Sequence, residues 1–207
     1  MKIAITGHKH GIGKAFAEQL AKRGHEIVGI SRSDGENIRR IEHTANIIDS
    51  CELFINNAQS MFAQTELLYA VWDKWRTLAS QRWIWNISTM MVQDPVNSTP
   101  DGHDDLTMSQ YHTQKLALEQ ASRQLQYKSS WPKISIIRPG GVDTTRIPEK
   151  YKKDKRYLEF MKKSCHEVLE KSDVNVWVKS VIDTFSQHQN IHVSELSIGH
   201  ITERIPI

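Results

Sequence analysis

Short apolar runs alternate along this chain with stretches in which apolar residues recur every three or four positions, the pattern of buried strands interleaved with amphipathic helices. Ile3-Ala4-Ile5 lies in an expected strand over 2–7, and an expected helix follows over 13–23. Glu26-Ile27-Val28-Gly29-Ile30 is a second apolar strand, bounded by Gly24 and by the polar Ser31-Arg32-Ser33. Leu53-Phe54-Ile55, the run 83–87 and the run 134–137 read as further strands, and 192–198 reads as the strand that closes the sheet. Helices are expected over 64–78 and 109–127, with a loop rich in Pro, Asp, Asn and Gly over 92–108. A Lys-rich amphipathic helix over 150–171 places Leu158, Met161, Cys165, Val168 and Leu169 on one face. Ser172 and Asp173 can cap the next helix, which turns Trp177, Val178, Val181 and Ile182 inward. This β-α-β order predicts an α/β fold, a parallel sheet wound by right-handed crossovers and covered by helices on both faces.

Composition narrows the class without choosing a function. The chain has 207 residues, 39 % hydrophobic and 25 % charged, enough for one domain over 1–207 with a full core. Its formal net charge of +3 is modest and spread along the chain, so composition does not call for a nucleic-acid partner. With only Cys51 and Cys165, a disulfide framework is not expected. The N-terminal apolar run is short for a signal peptide and no segment reaches membrane-spanning length, which makes the cytoplasm the expected location and a membrane partner unexpected.

Two motifs carry candidate chemistry. Thr6-Gly7-His8-Lys9-His10-Gly11-Ile12-Gly13 follows the first strand and opens the first helix. Glycines there permit a tight turn and close approach of backbone to phosphate, and the helix offers a positive N-terminus to an anion, although the spacing is wider than G-x-G-x-x-G. About a hundred residues later, Tyr111 and Lys115 stand four apart, so one helical face presents both to one bound molecule. An ammonium near a phenol favours the phenolate, lowering a pKa of about 10 toward working pH, which makes Tyr111 a candidate general acid.

Further motifs follow in order. Asn56-Asn57-Ala58 ends the third apolar strand, Asn86-Ile87-Ser88-Thr89 ends another, and Arg138-Pro139-Gly140-Gly141-Val142-Asp143-Thr144 follows the 134–137 strand. Taken together, the chain resembles a short-chain dehydrogenase/reductase, an unusually short one, from its first strand almost to its C-terminus. The resemblance implies a Rossmann-type, doubly wound, three-layer α/β/α domain, shortened between its second strand and the Leu53 strand and again between that strand and the one at 83–87. Only about twenty residues lie between Ser33 and the Leu53 strand, so Glu36-Asn37-Ile38 is read as a vestigial third strand and 38–50 as the one remaining helix. Between Asn57 and Asn86 there is room for one loop and one helix.

The resemblance implies hydride transfer between a nicotinamide and a small carbonyl or alcohol, with Tyr111 moving the proton on oxygen. Lys115 would bind the nicotinamide ribose and tune Tyr111. A third hydroxyl falls on Thr89 or Ser88; strand alternation allows only one to face the site, and Thr89 is favoured, with Ser88 a structural hydrogen-bonder. The family's helical asparagine, which completes a proton relay, has no clear counterpart; Gln64 is the nearest amide. Gln59 replaces the glycine expected after Asn57-Ala58. Asn57, Ala58, Pro139, Gly140, Val142 and Thr144 would line the cofactor, with 145–171 as a lid.

An acidic residue after the second strand of such folds binds the NAD ribose diol, whereas arginine there suits the NADP phosphate. Here Ser31-Arg32 stands at that place, with no carboxylate until Asp34, so NADP(H) is expected over NAD(H). Lys9 and His10 add charge on the same side, and Asn37-Ile38 would meet the adenine. The acidic 101–105 loop reads as solvated, with no metal expected. Leu116, Leu118, Ala121 and Leu125 surround the 109–127 helix with more apolar surface than one sheet contact needs, and the resemblance implies a homodimer or homotetramer. Two other readings stand beside the enzyme: a non-catalytic NADP(H)-binding regulatory or scaffold protein, favoured by Gln59 and the missing asparagine, and more weakly a nucleotide-sugar epimerase or dehydratase.

Overall fold

The computed structural model describes residues 1–78, 80–92, 106–140, 142–143, 172–187 and 192–198. Six strands, all parallel, form one sheet in the order β2-β1-β3-β4-β5-β8. They are β1 (Lys2–Thr6), β2 (Glu26–Ile30), β3 (Leu53–Asn56), β4 (Trp83–Ile87), β5 (Lys133–Pro139) and β8 (Glu195–Ile198). A two-stranded parallel pair, β6 (Val142–Asp143) and β7 (Ser172–Asp173), stands apart from it. The helices are α1 (Gly11–Lys22), α2 (Ile41–Ile48), α3 (Ala63–Trp75), α4 (Leu106–Lys128) and α5 (Val174–Gln187).

Strand alternation sends successive side chains to opposite faces, and both faces are covered. On one face Ala4, Phe54, Ile84 and Ile134 pack against α2, α3 and α4 through residues such as Ile48, Leu67, Trp75 and Leu118. On the other, Ile3, Ile5, Ile55 and Trp85 meet α1 and α5. Phe16 of α1 sits there with ring centroids 6.2 Å from both Trp85 and Trp177. Burying one such side chain stabilises the fold by roughly 1.5–3 kcal/mol. Asp173 caps α5 as expected, its Oδ1 accepting from Asn175 N at 2.8 Å and Val176 N at 3.1 Å. The three-layer α/β/α architecture is thus present.

Four expectations need correction. No strand forms at Glu36-Asn37-Ile38. The backbone after β2 is spent on a short 3-10 turn over Arg32–Asp34, closed by Gly35 at φ 83° and by Asp34 N donating to Ser31 O, so β2 is the sheet edge and the chain enters α2 directly. The last strand is shorter than 192–198. Helix α4 starts at Leu106, inside the expected loop, and of that loop 93–105 lies outside the described residues, as do Thr144, the 145–171 lid with its Lys-rich helix, and Cys165. The apolar excess on α4 also disappears: Leu118, Ala121 and Leu125 are buried in the chain's own core, and of those four only Leu116 is exposed.

Candidate active site

The carboxyl ends of β1, β3, β4 and β5 open onto one cleft of about 570 Å³. Gly7 and Gly11, at φ 72° and 52°, occupy the left-handed region that the turn requires. Gly13 is required for a different reason, since a Cβ there would stand 2.4 Å from Gly7 O and 2.6 Å from Asn57 Nδ2. Thr6 ties the strands together beneath the turn: its Oγ1 accepts from Asn57 N and Ala58 N, both at 2.9 Å, while Asn57 Nδ2 donates to Thr6 O. Thr6 is fully buried and shapes the wall, whereas Gly7, His10, Gly11, Ile12, Asn57 and Ala58 line the cleft. Helix α1 opens there with no side-chain cap on His10 and no acidic residue in its first turn. Its first N–H groups and dipole therefore remain available to an anion, and a dinucleotide pyrophosphate fits that cradle.

At the β2 end, Ser31, Arg32, Ser33, Asn37 and Ile38 line the cleft. Lys9 and His8 are engaged elsewhere: Lys9 Nζ lies 3.2 Å from Asp34 Oδ1, and His8 Nε2 lies 3.3 Å from Asp34 Oδ2. The His8 ring rests directly on Gly29, where a Cβ would come within 2.4 Å of it. Asp34, the first carboxylate after β2, is thus paired with two basic side chains of the glycine turn. Asn37 Oδ1 accepts from Arg39 N at 3.0 Å and holds the turn into α2.

At the β4 end the two neighbouring hydroxyls separate. Thr89 is hydrogen-bonded to Tyr111, while Ser88 donates to Glu119 Oε1 at 2.7 Å. Glu119 also accepts from Arg138 through both of its oxygens, at 2.8 and 2.7 Å, and both side chains are only 3 % exposed. Arg123 and Glu195 extend this buried pair into a four-residue network joining α4, β5 and β8.

Lys115 is buried and points into the same wall. Its Nζ donates to Ile87 O at 2.7 Å and to Gln64 Oε1 at 2.9 Å, and lies 5.6 Å from the centre of the Tyr111 ring. Burial drags its pKa down to about 7, with Glu119 acting in the opposite direction. Burial pushes the Tyr111 phenol up, and the Thr89 hydrogen bond opposes that rise. The phenol is therefore raised in this arrangement rather than lowered as expected, because burial outweighs the opposing hydrogen bond.

Pro139 lines the cleft, Gly140 N donates to Ile198 O, and Val142 packs against the α1/α5 core. Gln59 lines the cleft too, and its amide donates to Gln114 Oε1 on α4, tying the β3–α3 loop to the helix that carries Lys115.

No protein-family model matches this sequence, and no curated protein is detectably similar to it. Solved structures do match. The 3-alpha-hydroxysteroid dehydrogenase of Pseudomonas sp. B-0831, complexed with NADH, superposes with a TM-score of 0.70 at 19 % identity over 96 % of this chain and 95 % of that one. An alcohol dehydrogenase from the archaeon Thermococcus sibiricus, complexed with 5-hydroxy-NADP, gives 0.68 at 15 % identity over 100 % and 99 %. A short-chain dehydrogenase from Sphingobium yanoikuyae, in complex with NADPH, gives 0.62 at 18 % identity over 95 % and 86 %. The fold is that of the short-chain dehydrogenases/reductases. At such identities the likeness covers architecture, and the cofactors of these three differ among themselves.

Within this short-chain dehydrogenase fold, Tyr111, Lys115 and the glycine turn line one cleft, Thr89 bonds the Tyr111 phenol and Ser88 bonds Glu119. Glu119 was not among the expected site residues, and Arg138 was read only as part of a motif. A signal existed, since Lys115, Glu119 and Arg123 recur at four-residue spacing and share a face of α4. Asn86, read only as part of a motif, accepts from Asn56 Nδ2 and donates to Ser122 Oγ, both at 2.9 Å, which pins the ends of β3 and β4 to α4.

Proposed function

We propose that this protein is a nicotinamide-dependent oxidoreductase of short-chain dehydrogenase type acting on a small carbonyl or alcohol. The observation that carries this reading is that Tyr111 and Lys115, one helical turn apart, line one end of a cleft that begins at an uncapped helix N-terminus, with Thr89 beside the phenol. A nicotinamide bound there would give or take the hydride. The chain's own residues handle the proton: Tyr111 passes it to or takes it from the substrate oxygen, and Thr89 holds that oxygen and the phenol in line. Ser88 stays occupied with Glu119 and supports the strand end. Lys115 carries the positive charge that offsets developing phenolate.

NADP(H) is the proposed cofactor in preference to NAD(H). Asp34, paired with Lys9 and His8, is poorly placed to accept from a ribose diol, whereas Ser31, Arg32 and Ser33 line the cleft, with the two serine hydroxyls 2.9 Å apart. A guanidinium with hydroxyls suits a phosphate. Fluorescence titration with NADPH and with NADH tests this, followed by a carbonyl screen against Tyr111→Phe. Tight, NADPH-preferring binding and turnover abolished by Tyr111→Phe are expected.

One observation favours a second reading, a cofactor-binding scaffold with little turnover. The Gln59–Gln114 contact sets a side-chain bridge beside the nicotinamide end of the cleft. NADPH binding with no turnover of any carbonyl, and no gain in Gln59→Gly, would favour it. A cytoplasmic homodimer or homotetramer completes the proposal, with the exposed Tyr69 of α3 and Leu116 of α4 as the apolar contribution to pairing.

A further inference from the structure

Gln64 opens α3 and is 3 % exposed. Its amide nitrogen donates to two backbone carbonyls, Asn56 O at 2.6 Å and Ile87 O at 3.1 Å. Carbonyls only accept, so the nitrogen must face them and Oε1 must face Lys115 Nζ, 2.9 Å away. The backbone is fixed as firmly, because Asn56 Nδ2 donates to Gln64 O at 2.9 Å. An oriented acceptor is thereby aimed at a buried cation from an element otherwise remote from the proton-transfer chemistry.

We propose that Gln64 is a positioning residue for Lys115: it holds the ammonium protonated in the cleft wall and does so by direct contact between amide and lysine. The inference rests on the oxidoreductase reading only for its meaning in turnover, not for the contact itself.

Ile87 O and Gln64 Oε1 take two of the three ammonium donors, leaving the third for the cleft that Lys115 lines. Around Lys115, α4 supplies Tyr111 and Glu119, and β5 supplies Arg138, already bound to Glu119. Strand β4 offers the Ile87 carbonyl, Ser88 and Thr89 follow directly after it, and α3 offers Gln64, all uncharged. Glu119 is shared with Arg138, Arg123 and Ser88, so it is a weak counter-ion for Lys115. Burial alone would strip the proton from such a lysine, and its pKa of about 7 places it at the balance point. Removal of one accepting oxygen tips it toward the neutral amine.

The test is an NMR titration of the Lys115 side-chain resonance in the full chain, assigned by its loss in Lys115→Met. In Gln64→Met, which keeps length but has no oxygen, the midpoint is expected to fall by about one pH unit. Gln64→Glu puts a carboxylate at the same reach. Repulsion from the Asn56 and Ile87 carbonyls will cost stability, but the Lys115 midpoint is expected to rise, and this variant answers the question if Gln64→Met does not fold. An unchanged midpoint in either folded variant overturns the proposal. NADPH titration of the wild type runs alongside: failure to bind would count against the oxidoreductase reading, while the Lys115 midpoints would still decide the role of Gln64.

Discussion

Ser88 and Thr89 are adjacent in sequence, yet Ser88 donates into the buried Glu119 carboxylate at 2.7 Å while Thr89 is hydrogen-bonded to Tyr111. Ser88 is tied to the ion network and Thr89 to the Tyr111 phenol, so their replacements should separate stability from chemistry.

Thr89→Val should leave folding nearly intact and reduce turnover of any accepted carbonyl by roughly 10²-fold, since a donor aimed at the reacting oxygen is lost. Ser88→Ala should do the reverse, lowering stability by about 1–3 kcal/mol through loss of a buried bond to a charged acceptor. Urea unfolding and steady-state rates on both variants provide the check. Equal losses of rate would show that the two hydroxyls share one role.

Glu119→Ala leaves the buried Arg138 guanidinium with the part-exposed Glu195 carboxylate, 2.7 Å away, in place of its buried bidentate partner. The expected loss is about 3 kcal/mol, the low end for breaking a buried ion pair, because one carboxylate still reaches the charge. The double replacement Glu119→Leu with Arg138→Met should recover much of that loss. A double variant no more stable than Glu119→Ala would contradict this account.

Glu195 gives the network a pH signature. Arg123 and then Arg138 hold its carboxyl at about 2, below the ordinary carboxylate value. A depressed acid stabilises the fold above its unfolded pKa and loses that contribution as pH falls through the folded one. Stability should therefore fall between about pH 4.5 and pH 2. Denaturant midpoints across that window should slope less steeply in Glu195→Gln than in the wild type.

Gly13→Ala drives a methyl group into Gly7 O and the Asn57 amide, both backbone-anchored or hydrogen-bonded and unable to retreat cheaply. Overpacking of this kind costs about 1–3 kcal/mol, and the glycine turn should open. Thermal unfolding should show the loss, and NADPH titration should show a weaker site. Unaltered NADPH affinity would mean that the turn does not cradle the pyrophosphate.

Arg32→Ala should weaken NADPH by roughly 10- to 10²-fold and NADH little, the range expected for hydrogen bonds to a charged group. Equal losses for the two nucleotides, measured by fluorescence titration, would sink the proposed preference.

Local pattern carried far in this chain. Period-two alternation at Ile3-Ala4-Ile5 dictated which residues meet each helical layer, because successive strand side chains must point to opposite faces. Glycine identity at 7, 11 and 13 marked a turn that side chains cannot enter, and four-residue spacing aligned Tyr111 with Lys115. What the pattern left open were choices among partners distant in sequence. Glu36-Asn37-Ile38 had the composition of a short strand, but its backbone bonds were taken by the turn around Gly35, and the sheet ends at β2. Leu118, Ala121 and Leu125 looked like surplus surface until α2 and α3 closed over the same sheet face. Helical spacing sets the Lys115 ammonium over the Tyr111 ring, but an amide 51 residues earlier, oriented by two strand-end carbonyls, takes one of its donors. Hydrophobic period and glycine sterics are local and therefore legible in sequence. The direction of a buried charge depends on which acceptors packing brings within 3 Å of it, and only the tertiary structure decides that.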